Sequence, residues 1–169
     1  MTTTSRCFPF LLAIVLVVGC QEAAGPPADV AALGSRVAVE PTTILTHEYY
    51  SGLENEALAV ITDSAAWASV WAQLYTGRQP QPPLPVVEFR TERVLLAALG
   101  QRATGGYDIQ IDSVVQFRLG IVAYVRAVAP GDTCGTTSAL TQPVSVVRLM
   151  PAALAPIVFD QRTVVHECS

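Results

Sequence analysis

VLLAALGQRATGGYDIQI, residues 94–111, decides how the rest of the chain is read. Val94 to Leu99 is apolar without a break, which predicts a strand buried on both faces. Tyr107, Ile109 and Ile111 alternate with Asp108, Gln110 and Asp112, the period of a strand with one face in the core. Between the two stand Gly100 and the pair Gly105-Gly106. Glycine reaches positive φ without steric penalty, so these positions predict a tight turn or a loop with exposed backbone amides.

Working outward, the N-terminus bears on the compartment. Arg6 supplies a positive start, and the apolar run Phe8 to Val18 is short for a bilayer span. It closes on Val17-Val18-Gly19-Cys20, which has the shape of a secretory signal and looks like a bacterial lipobox. By that resemblance residues 1–19 are a signal peptide and Cys20 is acylated, becoming the first residue of the mature chain. Gln21 in place of an aspartate favours sorting to the outer membrane, so the expected location is the cell envelope, lipid-anchored, periplasmic or surface-exposed. Residues 20–46, rich in Ala, Gly and Pro, read as a flexible tether. Residues 47–169 are then one domain with a single core.

The chain has 169 residues and a net charge of −4, with 14% charged residues and no basic cluster. That balance argues against nucleic acid as a partner. Of the four cysteines, Cys7 leaves with the signal and Cys20 is acylated. Cys134 and Cys168 remain, and an oxidising compartment predicts that they form a disulfide. Neither stands in a CxxC spacing, so a metal or redox pair is the weaker reading.

Along the domain, Tyr49 and Tyr50 belong to an expected first strand, and Ala57 to Thr62 form the second. Asp63 or Ser64 then caps a helix in which Trp67, Val70, Trp71 and Leu74 share one apolar face. Such a double-tryptophan stripe reads as a packing face sooner than as a ligand platform. Gln79 to Pro85 is an extended proline-rich loop, and Val86 to Phe89 enters the next element. Strands are expected at Val94–Leu99, Tyr107–Val115, Ile121–Val128 (central), Val144–Leu149, Ile157–Phe159 and Thr163–Glu167. The expected fold is α+β: a mainly antiparallel sheet of about seven strands with one amphipathic helix packed on it.

The segment Ala98-Leu99-Gly100-Gln101-Arg102-Ala103-Thr104-Gly105-Gly106-Tyr107, together with the lipoprotein-like start, resembles the PrcB family, named for the lipoprotein subunit of a protease complex. Supporting marks are Trp67 and Trp71, Pro83, Phe89, Pro130-Gly131 with Cys134, Gln142-Pro143, and Cys168. The likeness runs from about Tyr49 to Cys168. It implies a non-catalytic role: binding and stabilising a partner protease.

The remaining residues offer little for catalysis. His47 and His166 each precede a glutamate, but neither lies in HExxH, and no GxSxG elbow exists. Both are read as exposed strand or boundary residues. Asp108 and Asp112 lie about 13–14 Å apart by strand rise, too far to act as paired carboxylates, and read as a solvated face. No metal or cofactor is expected. The leading expectation is therefore a membrane-anchored, non-catalytic protein-binding module whose candidate contact surface is the loop Gln101, Arg102, Thr104, Gly105, Gly106 and Tyr107; the same glycines read somewhat more readily as a plain turn. An envelope hydrolase acting on peptide or glycan, and a purely structural envelope lipoprotein, are the alternatives.

Overall fold

The structure is a computed structural model and describes residues 29–151 and 155–168. The expected signal peptide and Cys20 lie outside the described residues. Among those residues there is one α-helix and there are eight strands: β1 Arg36–Glu40, β2 Thr42–Glu48, β3 Glu56–Ile61, α1 Ser64–Leu74, β4 Arg93–Leu99, β5 Asp108–Phe117, β6 Ile121–Pro130, β7 Val144–Leu149 and β8 Ile157–His166. The α+β class holds. The strands, however, divide into two four-stranded sheets, ordered β1-β5-β6-β8 and β2-β7-β4-β3. All pairings are antiparallel except β6 with β8, which run parallel.

The layering follows from the apolar pattern of β4. Leu95, Ala97 and Leu99 pack with Ile109, Ile111, Ile121, Ala123 and Val125 of the facing sheet. Val94, Leu96 and Ala98 point the other way, onto Trp67, Trp71 and Leu74 of α1. A strand with a packed layer on each side has no polar face, which is why its sequence is continuously apolar. The order of layers is thus helix, second sheet, first sheet. Both tryptophans face the core: Trp67 is 1% exposed and Trp71 6%. Their indole N–H groups donate to Pro85 O and Pro82 O at 3.0 Å each. The proline-rich segment therefore runs as a strap along the helix. Val86 to Phe89, expected to begin a strand, is irregular and belongs to this strap. Asp63 caps α1, its carboxylate accepting from Ala66 N at 2.8 Å.

The expected tether, residues 20–46, requires correction. From Arg36 onward it is sheet: β1 pairs with β5 and β2 pairs with β7. Both are edge strands with mostly exposed side chains. Each has a single buried residue, and Val37, Val39 and Ile44 are exposed, so the apolar pattern does not mark a core face; backbone pairing holds them instead. The two expected C-terminal strands are one, β8, paired without interruption from Ile157 to His166. The Cys134–Cys168 disulfide is present, with Cα atoms 5.0 Å apart. It fastens the end of β8 to the loop that follows β6.

Candidate functional site

The two sheets meet at a corner where β5 begins. Here Ile111 N donates to Ser145 Oγ of β7 at 3.3 Å. Around this corner Tyr49, Tyr50, Gly105, Gly106, Tyr107, Asp108, Thr137 and Thr141 enclose a cleft of about 370 Å³.

Three chain segments form its walls. The first follows β2, which ends at Glu48 rather than running through the tyrosines as expected. Tyr49 O accepts from Gln142 N at 2.8 Å, and Ser51 Oγ donates to Gln142 O at 2.8 Å. Arg78, just beyond α1, donates to both carboxylate oxygens of Glu48 and to Tyr50 O at 3.1 Å. The turn that presents Tyr49 and Tyr50 is thereby fixed, and both rings remain exposed.

The second wall is the glycine loop between β4 and β5. Gln101 N donates to Glu54 O at 2.9 Å, and Arg102 exchanges backbone hydrogen bonds of 2.8 and 3.0 Å with Thr141. Thr104 O accepts from Thr141 Oγ1 at 2.8 Å, and Gly105 N donates to Thr137 O at 3.0 Å. Gly105 is buried against Thr137, and Gly106 has φ +88°. Five of the loop's backbone groups are thus bonded to neighbouring chain. What it offers outward is side chain: Arg102, which pairs with Glu56 and lies 5.8 Å from the Tyr107 ring centroid, and Tyr107 itself. Tyr107 is half-buried and packs against the core between the sheets.

The third wall, Thr137 and Thr141, belongs to the segment between β6 and β7. Cys134 anchors that segment through its disulfide.

Six loop residues named from the sequence thus fall into two groups. Gly105, Gly106 and Tyr107 line the cleft. Gln101, Arg102 and Thr104 brace it from behind. Tyr49, Tyr50, Thr137, Thr141 and Asp108 were not named as site residues. They come from three separate parts of the chain, and no local spacing joins them. The repeated aromatic at Tyr49-Tyr50 is the one local feature that could have drawn attention to them.

His47 lies in β2 and is exposed, in keeping with its reading as an exposed strand or boundary residue, but its Nε2 is 2.7 Å from Asp108 Oδ1, a contact not expected from the sequence. Asp108 is accordingly not a freely solvated carboxylate. The two side chains are 29% and 23% exposed, so the pair stands at the cleft's rim in reach of solvent. Among the described residues no hydroxyl or thiol hydrogen-bonds His47, and no group of three or more His, Cys, Asp or Glu side chains is placed to hold a metal ion. Asp112 is occupied elsewhere, by Arg126 at 3.1 Å. His166 ends β8 and is exposed. No helix among the described residues is long and apolar enough to cross a membrane.

Residues 93–150 match the family model described as PrcB C-terminal. The match covers about a third of the chain, from the start of β4 to the residue after β7, and bears out the resemblance read from the sequence over that span. It includes the glycine loop and the Thr137–Thr141 wall but not the tyrosine turn. No curated protein and no solved structure matches the chain.

Proposed function

From the match of residues 93–150 to the PrcB C-terminal family, we propose that this chain is an accessory module of a protease complex, binding its partner in the tyrosine-lined cleft. The observation that carries the reading is the bracing of that cleft. Three segments are cross-linked by hydrogen bonds, Tyr49 and Tyr50 are left exposed, and the half-buried Tyr107 lines the cleft beside them. Rigid aromatic side chains give large contact area at low entropic cost and dominate protein-binding hot spots. Arg102 behind Tyr107 and Asp108 at the rim add one charge of each sign. The cleft therefore suits a polypeptide segment with an apolar or aromatic residue flanked by charge. The module acts from a membrane: Cys20 carries the lipid, and the described domain projects from it into the envelope space, at the outer membrane.

The test uses the full-length lipoprotein in its native envelope. Solubilised complexes are isolated with the wild-type chain, with Tyr50→Ala and with Arg102→Glu, and protease activity in the eluate is measured. Activity co-isolating with wild type and reduced tenfold or more by both variants supports the reading. Equal recovery by folded variants refutes the cleft as the contact surface. Replacing Cys20 by Ser moves the protein from the membrane to the soluble fraction if the anchor is as proposed.

The His47–Asp108 pair favours a second reading, an envelope hydrolase, because a carboxylate-oriented imidazole is half of a general-base arrangement. The missing half is a nucleophile within reach of the imidazole. Incubating the purified chain with peptide and glycan substrates separates the readings: turnover abolished by His47→Ala establishes the hydrolase.

A further inference from the structure

β8 is the last strand of its sheet, and among the described residues nothing pairs with its outer edge. Long exposed edges invite pairing with another chain and are commonly blunted by proline, lysine, a bulge or short length. β8 has ten residues, no proline or lysine, and no register shift against β6.

Its backbone orientation can be assigned. Pro156 O accepts from Ile121 N and His166 O accepts from Gly131 N, both at 2.8 Å. In a regular strand both polar groups of a residue point to one side, and successive residues alternate. The even-numbered residues therefore bond to β6, and the N–H and C=O groups of Ile157, Phe159, Gln161, Thr163 and Val165 point to the open edge.

The sequence of that edge is complementary to itself. Reversing Ile157-Val158-Phe159-Asp160-Gln161-Arg162-Thr163-Val164-Val165 about Gln161 sets Ile157 against Val165, Val158 against Val164, and Asp160 against Arg162. This register also satisfies the backbone. Odd residues face odd residues, which places Gln161 with Gln161, Phe159 with Thr163 and Ile157 with Val165 at the hydrogen-bonded sites of an antiparallel ladder. Asp160–Arg162 and Val158–Val164 fall at the non-hydrogen-bonded sites, where side chains approach most closely. Asp160 and Arg162 form no ion pair among the described residues. Arg162 stands beside Arg126 across the ladder, and Arg126 is already bonded to Asp112 and Gln110. Val164 and Val165 are 43% and 54% exposed.

We infer that β8 is a homodimerisation edge: two copies of the chain pair antiparallel about a two-fold axis at Gln161, joining their four-stranded sheets into one of eight. The occupant is a second copy because both charges and both apolar ends find their complements in the same strand reversed. This inference is independent of the partner proposed for the cleft, which lies at the β2–β5 corner and not along β8.

The test is a charge swap, read by sedimentation velocity of the full-length protein in non-denaturing detergent. The wild type is expected to be dimeric at micromolar concentrations. Asp160→Arg alone, or Arg162→Asp alone, sets like charges opposite one another at both symmetric sites and should raise the dissociation constant about tenfold or more. The two single variants mixed in equal amounts restore both opposite-charge pairs and should recover the dimer, as should the chain carrying both substitutions. Recovery on mixing also shows that each variant is folded. A wild type that stays monomeric across the concentration range, a dimer indifferent to the single reversals, or no recovery on mixing or in the double variant overturns the assignment.

Discussion

Gly106 illustrates how much of the cleft depends on single positions. Its φ of +88° is open to glycine and strained for any residue with a Cβ, and an added Cβ would lie 3.1 Å from Pro130 Cβ and 3.3 Å from Thr136 Cγ2. Gly106→Ala should lower stability by about 1–2 kcal/mol, read as a shifted urea midpoint. Gly135 lies in the same region with open space around it and no positive φ. Gly135→Ala should change stability by less than about 0.5 kcal/mol. Arg102 separates stability from binding. Its ion pair with Glu56 is at the surface, where such pairs contribute about 0–1 kcal/mol. Arg102→Ala should leave the unfolding midpoint nearly unchanged while weakening partner recovery. A comparable loss in both measurements would make Arg102 a structural brace alone.

At the scale of elements, α1 and its strap form one unit. Trp67 fills the space over β4, and its indole N–H bonds Pro85 O. Trp67→Ala should destabilise the fold by about 3–5 kcal/mol, whereas Trp67→Phe keeps most of the packing and should cost distinctly less. Thermal unfolding of the pair measures the difference. This element was legible from the sequence: the 3.6-residue apolar period, the Asp63 cap and the two tryptophans each pointed to the same helix. β4 was equally legible, because a strand buried on both faces leaves an unbroken apolar run. β1 and β2 were not. A partly exposed edge strand satisfies its backbone through a partner distant in sequence, and residues such as Thr42, Thr43 and Thr46 say little about where that partner is. The division into two sheets escaped for the same reason, since alternation gives the face of a strand but not its neighbour. The cleft was half legible. Its glycine loop announced itself, whereas Tyr49, Tyr50 and the His47–Asp108 contact are products of long-range assembly.

For the whole molecule, the main covalent constraint in the folded part is the Cys134–Cys168 bridge, which closes a segment with a sequence separation of 34. In the chain-entropy model a loop of that size is worth about 3–4 kcal/mol. Changing both cysteines to serine should lower global stability by that order. Hydrogen exchange should quicken first in β8 and in the segment from Gly131 to Thr141, because these lose their shared anchor while the sandwich between β4 and β5 remains packed. Uniform quickening across all strands would mean that the bridge supports the core directly.

That bridge has a practical corollary. Thr137, one wall of the cleft, sits three residues beyond Cys134 on the same strip of chain. The shape of the cleft is therefore tied to the oxidation state of that pair. Protein prepared with both thiols reduced should hold the Thr137 wall less firmly, and if the cleft binds a partner as proposed, affinities measured on such preparations should fall below those of the oxidised form.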